Sequence, residues 1–100
     1  AITAFTRVLE IATNDPTARF NRALAYLDSD RLDDARADYA ALQSTYTNSF
    51  QVAFGLAEVA WRQHETNAAI RNYELYLANA PTNSVEFKTV RERLDQLRQK

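Results

Sequence analysis

The chain has 100 residues, 46% of them hydrophobic and 25% charged, a formal net charge of -1 at pH 7, and neither cysteine nor methionine. That is enough for one globular domain with its own core, and not for two. The near-neutral balance gives a nucleic-acid partner no electrostatic footprint, and the missing thiols exclude a disulfide framework, a thiolate nucleophile and a thiolate-held metal.

The absence of cysteine does not choose between the cytosol and an exported compartment. No apolar run approaches the roughly 20 residues needed to cross a bilayer, and nothing resembles a signal peptide. Because methionine is absent, Ala1 is expected to be either a processed terminus or a boundary inside a longer protein.

Helical spacing begins at once. Ile2, Phe5, Val8, Leu9 and Ala12 share one side of a first helix over about 1–12. Asn14, Asp15 and Pro16 then end it and start a second, Pro16 suiting the first helical position and Asp15 the cap. The second helix runs to about Leu27. Asp28 to Arg31 reads as a tight turn, with Asp30 expected to cap a third helix from Arg31 to about Ser44. Its inward stripe is Leu32, Ala35, Tyr39 and Leu42. So short a connection makes the second and third helices antiparallel neighbours.

Thr45 to Ser49 is a turn of weak helix formers. Asn48 with Gln51 reads as a capping box for a fourth helix that ends near Arg62. A turn over 63–66 leads to a fifth helix from Asn67 to about Asn79, closed by Pro81. Asn83 with Glu86 reads as a second capping box, opening a charged last helix from Val85 to about Arg98 with Phe87, Val90, Leu94 and Leu97 inward. No strand pattern survives. The expected fold is all-α, six short helices with tight connections.

These helices echo one another at an offset of 34 residues. Phe20 falls on Phe54, Ala23 on Ala57, Ala35 on Ala69 and Tyr39 on Tyr73. The spacing of alanine, aromatic and apolar residue occurs three times, as Ala1, Phe5, Val8, as Ala35, Tyr39, Leu42 and as Ala69, Tyr73, Tyr76. A period of this size marks stacked supersecondary units.

With Leu56, Ala57, Ala69, Tyr73 and Pro81 at the consensus places of one unit, and Ala23, Tyr26, Ala35, Tyr39 and Leu42 in the unit before, the chain resembles the tetratricopeptide repeat family. The resemblance implies a right-handed solenoid of antiparallel helix pairs A and B. It divides the chain into the helix B of a partial unit (1–15), full units 16–49 and 50–83, and a closing helix (84–100). Several places depart from the pattern. Alanine stands where helix A usually has glycine, Arg22 is the counterpart of Leu56, Thr13 and Thr47 replace the closing proline, and Tyr76 replaces a small residue. The first helix A of the pattern is not in the sequence, so the face of Phe5 and Val8 is expected to belong to a truncated array, to meet a second copy of the chain, or to stand as a tolerated exposed patch.

Catalytic chemistry has little to work with. His64 beside Glu65 in a turn makes a poor metal pair, and the serines sit at caps and turns. Among the acids of 28–38, Asp30 and Asp33 suit a first helical turn, and Asp34 and Asp38 are expected to share an exposed face. The single glycine, Gly55, excludes a glycine-rich phosphate loop. No cofactor, metal or enzymatic activity is expected.

The family resemblance implies binding of a peptide or helix in a concave groove lined by A helices. It assigns to that wall Thr17, Phe20, Leu24, Leu27 and Asp28, then Gln51, Phe54, Glu58, Trp61 and Arg62, and on the last helix Val85, Lys88, Glu92 and Asp95. Glu58 with Arg62 and Lys88 with Glu92 are spaced for surface ion pairs. The lysines and asparagines with which some family members clamp a terminal carboxylate are replaced here by Phe20, Leu24, Phe54 and Glu58, which disfavours that ligand. Trp61 extends beyond the buried stripe of its own helix. Either it anchors a partner, or with Phe20 and Phe54 it widens the core. Two functions follow: a protein-binding adaptor using this wall, or a spacer that self-associates through Phe5 and Val8.

Overall fold

The computed structural model describes residues 2–11 and 15–99, and their side chains except those of Phe5, Val8, Leu9, Glu10 and Ile11. Among the described residues it is all-α: α1 (Ile2–Ile11), α2 (Pro16–Asp28), α3 (Leu32–Thr45), α4 (Phe50–Arg62), α5 (Thr66–Asn79) and α6 (Phe87–Arg98). Each helix packs on the next, α2 also meets α4, and the whole is elongated, 45 × 25 × 22 Å. No helix among these residues is long and apolar enough to cross a membrane.

Contacts between helix ends fix the directions. Arg62 near the end of α4 donates to the carbonyl of Leu27 near the end of α2 at 2.9 Å, so α2 and α4 run parallel. Gln63, just past α4, donates to Asp33 at the start of α3 at 3.0 Å, so α3 runs against α4. The alternate helices α3 and α5 are joined sideways by Gln43 and Asn72 at 3.2 Å.

The 34-residue echo is carried down to the backbone. Ala23, Ala35, Tyr39, Ala57, Ala69 and Tyr73 are each wholly buried. Small alanines let helix axes approach, and the large tyrosines fill what remains. The turns match as well. Asp30 and His64 both adopt a left-handed conformation with φ 59°. Behind them Arg31 donates to Tyr26 at 2.8 Å and Glu65 to Ala60 at 2.9 Å. This six-to-one bond, closed around a left-handed residue, is the Schellman helix ending.

That ending corrects one expectation. Asp30 does not cap α3; it is the left-handed residue that stops α2, and the residue flanking α3 is Arg31, with no side-chain capping bond. Two capping boxes are also replaced. The cap of α4 is Ser49, whose hydroxyl accepts from Val52 at 3.3 Å, while Asn48 lies in the turn before it. The box of Asn83 and Glu86 does not form, because the Ser84 hydroxyl is tied 2.6 Å from that of Tyr76 and the segment runs as turns to Phe87. Val85, expected inside the last helix, is 90% exposed. Asp15 does cap α2, accepting from Ala18 at 3.1 Å. Ala80 is extended, as the residue before a proline must be.

Two apolar clusters follow from this stacking. One gathers Ala23, Leu27, Ala35, Tyr39, Leu42, Val52 and Val59 across α2, α3 and α4. The other joins α4, α5 and α6 around Ala57, Ala69, Tyr73, Tyr76, Val90 and Leu94.

Candidate functional site

The parallel helices α2 and α4 present the side chains expected to line a wall, and the structure sorts them. Leu24 is the exposed apolar member, at 39%. Phe20, Phe54 and Trp61 are half-buried. Phe20 meets the ring of Tyr39 edge-on, with centroids 6.0 Å apart, and Phe54 lies tilted on Tyr76 at 5.6 Å. Both phenylalanines therefore bury one side in the core and leave the other at the surface. Leu27 is buried and contributes its carbonyl rather than its side chain.

Glu58 departs most from its expected place. It does not pair with Arg62 on the surface. It is buried, accepts from the Tyr73 hydroxyl at 2.6 Å, and is joined by the Arg93 guanidinium from α6. Arg93 also donates to the Tyr73 oxygen at 2.9 Å and lies over the Trp61 ring, 5.1 Å from its centroid. Burial holds the Arg93 pKa below its ordinary value and raises that of Tyr73. Arg62 turns the other way, toward Leu27 and, at 3.8 Å, Asp30.

The acids of 28–38 are similarly redistributed. Asp38 does not share an exposed face with Asp34. It is 3% exposed and held by Arg22 through two bonds of 2.7 Å, with Arg19 at 3.5 Å. The hydrogen bond to Asp38 raises the Arg22 pKa, and the same guanidinium lies over Tyr26 at 5.6 Å. Asp34 pairs with Arg31 and Asp33 with Arg36, both in the open. Glu65 meets Arg36 at 3.2 Å. No group of three His, Cys, Asp or Glu among the described residues could hold a metal ion.

Three hollows accompany the wall. One of about 240 Å³ lies between the ends of α4 and α6, with Trp61, His64 and Leu97 in its lining. A second of about 230 Å³ lies beside Phe20, Tyr46 and Gln51. The third, about 630 Å³ and more polar, includes exposed Lys88 with Phe87, Arg91 and Glu92. Phe5 and Val8, the expected self-association pair, lie outside the described side chains.

Sequence reasoning missed Arg93, the Tyr73 hydroxyl and the Arg22–Asp38 pair. The signal was present in the 34-residue overlay. Arg22 and Asp38 fall on Leu56 and Asn72, so both partners depart from the repeat together, and Glu58 falls on Leu24. Polar residues that replace apolar ones at an inward position need a partner.

Compared with known proteins, the chain matches no family model and has no significant match among curated proteins.

Proposed function

We propose that this chain is a non-enzymatic protein-binding module, a tetratricopeptide-like solenoid whose α2, α4 and α6 serve as A helices and receive a peptide or helix along their shared face. The observation that carries this reading is the row formed by exposed Leu24 and the half-buried rings of Phe20, Phe54 and Trp61 on two parallel helices. Apolar groups set in a row on a rigid scaffold offer anchors of the kind that dominate interfaces. The rim at Asp28, Arg62 and Lys88 is exposed and of mixed charge, which suits orientation more than affinity. The repeat itself supports the reading, since a stack of helix pairs creates such a face without any dedicated pocket.

The test is a peptide selected from a displayed library for binding to the folded chain, then titrated against variants. Leu24→Ala and Trp61→Ala should each weaken it about tenfold or more, as truncated anchors do, with helical circular dichroism unchanged. A ligand whose affinity ignores both substitutions would remove the wall from consideration.

A further inference from the structure

The last helix is held differently from its counterpart. α4 packs against both α3 and α2, but α6 packs its backbone on α5 alone and makes no close backbone approach to α4 among the described residues. The gap between α4 and α6 is spanned by side chains. Arg93 reaches Glu58, the Tyr73 hydroxyl and the Trp61 ring. Beside this bridge lies the cleft of about 240 Å³, with Trp61 and Ala60 from α4 and Leu97 from α6 in its walls.

The segment leading into α6 is built to pivot. Between Asn79 and Phe87 there is no helix, Val85 stands 90% exposed, and α6 begins without a side-chain cap. Ala80 packs on the core, and among the described residues the segment's one side-chain hydrogen bond is that between Ser84 and Tyr76. The apolar stripe of α6, formed by Val90, Leu94 and Leu97, joins the cluster formed with Tyr73 and Tyr76 of α5 and Ala57 and Ala60 of α4, and Arg93 adds a polar latch toward α4.

We propose that α6 is a hinged lid on the Trp61 end of the wall, closed by the Arg93 latch. In the closed state Arg93 covers one face of the Trp61 ring. Opening moves α6 as a unit about residues 80–86 and uncovers Trp61, Glu58 and the Tyr73 hydroxyl together. On opening, water solvates both partners of the ion pair, so the latch holds α6 by about one charge-assisted hydrogen bond. Elements with few packing neighbours also open below the global unfolding free energy. The lid motion stands on the geometry of α6 alone; its consequence, that α6 competes with an incoming segment for Trp61, rests on the proposed binding wall.

Native-state hydrogen exchange on the full chain, followed at several low urea concentrations, tests this without any ligand. A helix of 12 residues detached from its partners does not keep its own hydrogen bonds in water, so the amides of 90–97 should exchange through an opening less sensitive to urea than that exposing the amides of 53–60. Arg93→Gln should speed exchange in 90–97 about tenfold, the order of one charge-assisted bond, and shift Trp61 fluorescence to longer wavelength. Arg22→Leu acts on the α2–α3 contact that an open lid leaves intact, so it should speed 53–60 and leave 90–97 unchanged. Exchange of both segments through one common opening in the unaltered chain would overturn the lid, as would an Arg93→Gln chain whose 90–97 exchange is unchanged or an Arg22→Leu chain that speeds both segments alike. Should Arg93→Gln fail to fold, the urea comparison on the unaltered chain decides alone. Failure here leaves the binding wall to its own test with Leu24 and Trp61.

Discussion

Arg22 grips Asp38 with two 2.7 Å bonds, from Nε to one carboxylate oxygen and from Nη2 to the other, in a place where the next repeat has Leu56 and Asn72. The pair is an exchange within a single chain: one unit joins its two helices by a buried ion pair, and at the same places the other has an apolar residue and a neutral amide, which bonds Ala68 of its own helix and Gln43 of α3. Removing one member should therefore be costly and exchanging both should not. Arg22→Leu alone leaves a carboxylate that is 3% exposed with, among the described residues, Arg19 at 3.5 Å. It should destabilise the fold toward the lower end of the about 3–5 kcal/mol typical of a broken buried pair. Arg22→Leu with Asp38→Asn should recover most of the loss. Urea midpoints of the two singles and the double give the coupling directly.

Gly55 and Tyr39 set a second constraint. A Cβ built on Gly55 would stand 2.3 Å from the Tyr39 ring carbon that bears the hydroxyl and within 2.7 Å of both its neighbours. Tyr39 is wholly buried, so the ring has no room to yield. Gly55→Ala would ordinarily gain up to about 1 kcal/mol of helix propensity. Here overpacking should outweigh that gain and leave a net loss of about 1–2 kcal/mol. Made in a Tyr39→Leu background, which shortens the side chain, the same substitution should cost measurably less. Equal costs in both backgrounds would mean that the ring is not what excludes a methyl group.

What could be read in the sequence, and what could not, divides along physical lines. Period, helix count and the buried alanines and tyrosines follow from patterning, because each depends on residues a turn or a repeat apart. The Asp15 cap was legible for the same reason. Asp30 was misassigned because aspartate serves equally as a cap and as a left-handed residue, and only the bond from Arg31 to Tyr26 decides between them. Glu58 was misassigned because an i to i+4 partner, Arg62, is visible in sequence, whereas Arg93 comes from another helix. Half-burial of Phe20, Phe54 and Trp61 is likewise set by neighbours far along the chain. All three pack on the core clusters while part of each ring stays exposed.

The matched left-handed residues give a third prediction. Asp30 and His64 each hold φ at 59°, a conformation that costs an L-residue about 1–2 kcal/mol and glycine almost nothing. His64→Gly should stabilise the domain by about 0.5–1 kcal/mol, after the greater freedom of glycine in the unfolded chain is subtracted. Asp30→Gly should gain less. Aspartate tolerates this region better than most residues, and the change removes a carboxylate 3.8 Å from Arg62. Thermal melts of the two variants should rank in that order, and a loss of stability in His64→Gly would contradict the Schellman assignment.

The two buried tyrosines give the last prediction, and it concerns pH. Burial raises both the Tyr39 and the Tyr73 pKa above the ordinary tyrosine value. A proton held more tightly in the folded state contributes stability that is complete below the unfolded pKa, near 10, and is lost as pH rises beyond it. The unfolded chain then releases protons that the folded chain keeps, and each tyrosine adds a slope of about -1.4 kcal/mol per pH unit. Urea melts should be insensitive to these groups at pH 7–9 and should lose stability steeply above pH 10. Tyr39→Phe and Tyr73→Phe should each make that alkaline limb shallower by one proton. At pH 7 the two variants should part. Among the described residues the buried Tyr39 hydroxyl has no hydrogen-bond partner, so replacing it should be neutral or stabilise by up to about 1 kcal/mol. The Tyr73 hydroxyl bonds Glu58 and Arg93, so its removal should cost about 1–2 kcal/mol. A neutral-pH loss from Tyr39→Phe as large as that from Tyr73→Phe would show that the first hydroxyl is satisfied after all.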